Sequence, residues 1–130
     1  LNMDKYNKEG YLDLTPYLAL KNHYYPIVYI CSPYAGDIEN NIINAKKYNR
    51  FAINKGYMPI VPHLLYPQIL NDSNKSERKI GLLFGNILMD RCSEIWVFGN
   101  YISEGMKKEI ERAKVKKYTI RYFDNFCNEL

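Results

Sequence analysis

The sequence predicts a small doubly wound α/β domain, flavodoxin- or Rossmann-like, with about four parallel strands in the order 2-1-3-4 and helices on both faces. Three observations point there. The runs 27–31 (Ile-Val-Tyr-Ile-Cys) and 95–98 (Ile-Trp-Val-Phe) are short and nearly all apolar, as expected of parallel strands buried on both faces. Longer stretches with helical spacing of apolar residues lie between such runs. Strands alternating with helices imply a parallel sheet with right-handed crossovers. Ligands of such a sheet sit at the carboxyl ends of its strands.

Taken in chain order, residues 1–12 read as a loose arm, and Thr15-Pro16 as the N-cap and first position of a short helix reaching about Lys21. Pro26 separates that helix from the first strand, 27–31, which stops at Ser32-Pro33-Tyr34-Ala35-Gly36. Asp37 is placed to cap the next helix, where Ile38, Ile42, Ala45, Tyr48, Phe51 and Ala52 recur at helical spacing, and Gly56 is a natural stop. Residues 57–61 form the second strand, which Pro59 demotes to an edge. Residues 62–67 hold two prolines and predict a rigid turn or short helix, and 71–75 a polar, mobile loop. Ser76 or a neighbour caps a helix running to about Cys92, with Ile80, Leu83, Phe84, Ile87 and Leu88 as its buried stripe. The third strand is 95–98. A helix over 103–115 follows, capped by Ser103 and buried through Met106, Ile110 and Ala113, and a last strand covers 118–122. The expected partition is an arm and short helix over 1–25, the α/β domain over 26–123, and a tail over 124–130.

Composition narrows the class. A chain of 130 residues is one domain with room for a core. The charge of +4, from 18 Lys+Arg against 14 Asp+Glu, is mild and spread along the chain, so no groove for polymeric nucleic acid is implied. The three cysteines, Cys31, Cys92 and Cys127, form neither a zinc pattern nor a disulfide framework, which favours a reducing cytoplasm. No apolar run approaches a membrane span, and Leu1 to Gly10 lacks the apolar core of a signal peptide. The 13 tyrosines, with abundant Asn, Ile and Lys, read as an AT-rich coding bias.

The carboxyl-edge rule collects Ser32, Pro33, Tyr34, Gly36 and Asp37 after the first strand, His63 after the second, and Asn100, Ser103, Gly105 and Glu109 after the third. The N-terminal amides of the helix starting at Ser103, together with its dipole, make an anion site, and Gly105 lets a ligand approach. Glu109 flanks the core stripe of that helix more closely than any other charged residue there. The chain has no GxGxxG, no Walker A loop, no metal-ligand cluster and no nucleophile elbow. No cofactor and no metal are expected. A carboxylate beside an anion site suits substitution at a sugar anomeric carbon, where it stabilises or attacks an oxocarbenium-like centre.

Four segments, 28–36 (Val-Tyr-Ile-Cys-Ser-Pro-Tyr-Ala-Gly), 59–63 (Pro-Ile-Val-Pro-His), 92–99 (Cys-Ser-Glu-Ile-Trp-Val-Phe-Gly) and 103–109, together resemble the nucleoside 2-deoxyribosyltransferase superfamily, and within it a small bacterial and phage branch. The resemblance covers roughly residues 26–123 and implies the same fold. It implies cleavage or transfer at the N-glycosidic bond of a 2′-deoxynucleoside or its 5′-monophosphate, with Glu109 as nucleophile. It also implies phosphate binding by Ser103 and Gly105 and a pocket lined by Tyr29 and the 32–36 loop, with Ser32, Tyr34, Gly36 and Asp37 as substrate-binding candidates. Two departures from the family pattern stand out. Ala35 replaces an arginine that some monophosphate-cleaving relatives carry. Where the family places an aspartate before the third strand this chain has Asn86, with Asp90 the nearest acid. Asn86 can bind a base but cannot act as an acid, which leaves Asp90 and His63 as candidates for proton transfer. Superfamily members commonly form homo-oligomers in which a neighbour completes the site. The Tyr-rich arm (Tyr6, Tyr11, Tyr17) is a candidate contact of that kind. The competing functions are a non-catalytic nucleotide- or nucleotide-signal-binding module using the same pocket, and an oligomeric scaffold with a vestigial pocket.

Overall fold

Strands β1 (Ile27–Cys31), β2 (Met58–Ile60), β3 (Glu94–Phe98) and β4 (Thr119–Phe123) form one sheet in the order β2-β1-β3-β4, every pair parallel. This computed structural model describes residues 24–130; the expected helix from Thr15 to about Lys21, and the arm before it, lie outside the described residues. Helices α1 (Ile38–Asn54), α2 (Lys75–Asp90) and α3 (Glu104–Val115) make the crossovers. The predicted class and strand order are those observed.

Local chemistry explains the element ends. The Asp37 carboxylate accepts from the Asn40 amide and caps α1, which stops at Gly56, where φ is +85°. β2 is the edge strand that Pro59 requires, and it is shorter than the expected 57–61. Two 3-10 turns, Pro62–Leu64 and Tyr66–Gln68, follow it. The expected polar loop after the 3-10 turns is a short turn leading into α2. Asn71 Oδ1 accepts from the Ser73 amide, and Asn74, rather than Ser76, caps α2 by accepting from Ser76 and Glu77. α2 ends at Asp90, short of the expected Cys92. Ser103 caps α3, its hydroxyl accepting from the Met106 amide at 3.2 Å.

Alternation along the strands sorts the core into two layers. On the α1 face Val28, Ile30, Trp96, Phe98 and Phe123 pack with Tyr48 and Ala52. The aromatic rings there stack, Tyr48 on Phe98 at 4.4 Å and Phe98 on Phe123 at 4.8 Å. On the other face Tyr29, Cys31, Ile95 and Val97 meet Met89 of α2 and Met106, Ile110 and Ala113 of α3.

The buried stripe of α2 is not the expected one. Gly85 and Met89 are its buried residues, Leu88 is half-buried, and Ile80, Leu83, Phe84 and Ile87 are 40, 55, 40 and 45% exposed. The helix carries apolar side chains on two adjoining faces, and its spacing alone does not say which one meets the sheet. The face that packs carries Gly85 and Met89, and Gly85 lies over the Tyr29 phenol, where an added Cβ would make an ordinary 3.7 Å contact with its oxygen. The expected tail, 124–130, turns back along β4. Asp124 accepts from the Phe126 and Asn128 amides, Leu130 donates to the Tyr122 carbonyl, and Arg121 forks onto Glu129.

Candidate active site at the carboxyl edge of the sheet

Tyr29 sits mid-strand in β1 and points into the layer beneath α2 and α3, where it is 4% exposed. Glu109, in the second turn of α3, lies one residue before buried Ile110, so the helix turns its carboxyl toward the sheet. The two groups lie close enough to shift each other's ionisation. Burial pushes the Glu109 carboxyl up to about 7, while the Tyr29 phenol, by donating to the ionised form, opposes the rise. At neutral pH this carboxyl is therefore divided between acid and carboxylate. Burial, and then the neighbouring Glu109, drive the Tyr29 phenol well above its ordinary range, so it stays a neutral donor. The Cys31 thiol is likewise raised, first by burial and then by Glu109.

At the amino end of α3, Ser103 spends an acceptor lone pair on the Met106 amide and keeps its hydroxyl hydrogen. The amides of Glu104 and Gly105 fall among the first-turn donors that have no intrahelical partner. A Cβ at Gly105 would come no closer than 4.0 Å to another atom, that atom being Ser103 Oγ. This end of α3 is thus open to an anion, with the dipole favouring one.

A second cluster joins β1 to the segment after β2. Ser32 Oγ and His63 Nε2 are 3.0 Å apart, with Ser32 buried. The Tyr34 ring meets the imidazole edge-on, centroids 6.2 Å apart. Burial lowers the His63 pKa to about 4, so the ring is neutral at pH 7 and hydrogen-bonds to Ser32 without charge. Gly36 adopts φ +94°, a left-handed turn closed to most side chains, and Asp37 is engaged in the α1 cap. The loop is braced by Asn41, whose amide donates to the carbonyls of Tyr34 and Ala35 at 3.0 Å each.

Not every expected residue reaches this edge. Asp90 lies at the other end of α2, just before β3 begins, on the amino side of the sheet. Arg112 forks onto it at 2.9 Å and Tyr118 donates to it at 2.6 Å. The hydrogen bonds from Arg112 and Tyr118 hold its carboxyl well below the usual carboxylate range. It is a pinned, exposed anion between α2 and α3, with no contact to Glu109. Asn86 is exposed, and its carbonyl accepts from Arg112 at 3.3 Å. Sequence reasoning missed Gly85, Asn41 and the Arg112–Asp90–Tyr118 link. The first two carry a signal only in hindsight, as a small residue and an amide on the inner faces of their helices. Glu109 lines neither the 630 Å³ open groove along outer α3 nor a 150 Å³ cleft on the α1 side.

Among the described residues no helix is long and apolar enough to cross a membrane. No curated protein matches the chain. A solved 2-deoxyribosyltransferase from the psychrotolerant bacterium Bacillus psychrosaccharolyticus is similar in structure, with a TM-score of 0.64 at 11% identity, over 75% of this chain and 72% of that one. Likeness at that identity speaks to the fold, which is of the 2-deoxyribosyltransferase kind. The family described as "Domain of unknown function (DUF7768)" matches residues 26–123, all four strands and the three helices between them, and the chain belongs to it.

Proposed function

We propose that this protein cleaves or transfers at the N-glycosidic bond of a 2′-deoxynucleoside or its 5′-monophosphate, with Glu109 as the nucleophile. The observation that carries this reading is the half-buried Glu109 carboxyl, its pKa raised beside the Tyr29 phenol, in a helix whose capped amino end is open to an anion. In the ionised form Glu109 attacks the anomeric carbon as the bond to the base breaks, giving a deoxyribosyl ester. Water or a second base then takes the sugar from that ester. Tyr29 orients the carboxylate. Ser103 and the Glu104 and Gly105 amides hold the 5′-phosphate, or a sugar hydroxyl in its absence. Ser32, Tyr34 and neutral His63 form the wall against which the base lies, with His63 the nearest proton carrier at this edge. The similar solved protein being a 2-deoxyribosyltransferase supports the substrate class.

A binding module that holds a nucleotide without turning it over is the competing reading, favoured by Asn86 and by the diversion of Asp90 into an ion pair. Incubation with the four deoxynucleosides and their monophosphates, with released base read by chromatography, separates the two. We also propose that copies of the chain associate through the apolar face of α2 left outward by Ile80, Leu83, Phe84 and Ile87.

A further inference from the structure

A cleft of about 150 Å³ opens at the carboxyl edge on the α1 side of the sheet, opposite the layer that holds Tyr29 and Glu109. Asn41, Asn44 and Tyr48 line it from one face of α1, Asn100 and Tyr101 from the loop after β3, and Asn125 from the turn after β4. It lies between the ends of β1 and β3, where successive connections leave the sheet in opposite directions and doubly wound folds bind ligands.

Four amides converge there with much of their hydrogen-bonding capacity unused. Asn41 spends both amide hydrogens on the loop carbonyls, leaving its oxygen. The Asn100 amide donates to Asn125 Oδ1 at 3.2 Å, which leaves the Asn100 oxygen and the Asn125 hydrogens. Asn44, half-buried, has no side-chain partner among the described residues. The Tyr48 ring is packed on Phe98, its hydroxyl reaches the cleft with no protein partner among the described residues, and burial raises its pKa so that it stays neutral. Gly99, at φ +103°, brings the backbone over that hydroxyl, with 4.0 Å between the oxygen and the place of a Cβ. A phenol hydroxyl at the edge of a cleft ringed by amides with free donors and acceptors suits a polar ligand.

Among the described residues no charged side chain lines the cleft, and the Lys47 ammonium is held by the Asn125 carbonyl at 2.7 Å. The ligand that fits is neutral, carries donors and acceptors in one plane, and is about one ring in size. Tyr101, 68% exposed at the lip, offers an aromatic face to such a ring. We propose that this cleft is a second binding site, separate from Glu109, for a free single-ring nucleobase.

Titration of the isotope-labelled protein with uracil, cytosine and, as the anionic probe, inorganic phosphate tests this by amide shifts. Saturable shifts at Asn44, Gly99, Tyr101 and Asn125 with a base, and none there with phosphate, are expected. Tyr101→Ala, which removes an exposed ring and leaves the fold intact, should weaken the base about fivefold or more. Tyr48→Phe, which keeps the packing and removes one hydroxyl, should weaken it about threefold or more. Glu109→Gln should leave the cleft shifts in place, so a failure of the Glu109 reading does not touch this result. No saturable shift with either base, equal shifts with phosphate, or shifts lost in Glu109→Gln and kept in Tyr101→Ala would overturn the proposal.

Discussion

Tyr29→Phe removes the one group that opposes the rise in the Glu109 pKa. The substitution keeps the ring in its layer between β1 and the two helices and removes only the donor. A hydrogen bond to an ionised carboxylate contributes roughly 1.5 kcal/mol, or about one pKa unit. The Glu109 pKa should therefore move up from about 7 by about one unit. If the carboxylate is the attacking form, the fraction competent at pH 7 falls from about one-half to about one-tenth, so base release slows about fivefold. At pH 9 both forms are ionised and the rates converge to within roughly 20%. The assay is the pH profile of base release, with a carbon-13 titration of Glu109 in the absence of substrate as a readout independent of turnover. A rising limb that stays where it is, or moves to lower pH, in both measurements would refute the reasoning.

Other expectations follow from the same geometry. Glu109→Gln should stabilise the fold at pH 8, because a folded-state pKa near 7 against an ordinary 4.5 means that stability is lost as pH rises through that window; the upper bound is about 3 kcal/mol, read by denaturant melts at pH 4 and pH 8, and equal differences at both would contradict it. Ser103→Ala should weaken monophosphate binding by roughly 1–2 kcal/mol more than nucleoside binding, and should cost about 1 kcal/mol of stability through the lost α3 cap, both measurable by calorimetry. His63 has the opposite pH dependence to Glu109. Its pKa is lowered to about 4, so its contribution to stability falls as pH drops from about 6.5 to 4, and His63→Gln should flatten that limb. Leu83→Lys should shift a sedimentation profile toward smaller species without lowering the melting temperature, whereas an unchanged profile removes α2 as the interface.

The features legible in the sequence were those written locally. Asp37 and Ser103 before apolar helical runs, Gly56 after one, and Pro59 in a strand each state their own role, and each holds that role in the structure. Glu109 could be singled out because it stands beside Ile110 in a helix whose core stripe is clean. The face of α2 is not legible because its stripe is not clean, and the residues it meets, such as Tyr29 beneath Gly85, lie as much as 56 residues away in sequence. The Ser32–His63 bond joins two loops, and the asparagine cleft gathers residues from three connections; neither has a periodicity that could announce it. Asp90 read as a free acid because Arg112 and Tyr118, which pin it, follow more than 20 residues later.

The central claim is that Glu109 forms a covalent bond to a deoxyribose. Mass spectrometry of the protein quenched in acid during incubation with deoxynucleosides and their 5′-monophosphates tests it directly. The account predicts a deoxyribosyl or phosphodeoxyribosyl adduct on the peptide containing Glu109, with free base released in step and both absent in Glu109→Gln. Saturable nucleotide binding with no adduct and no released base, or base release that persists in Glu109→Gln, would contradict it.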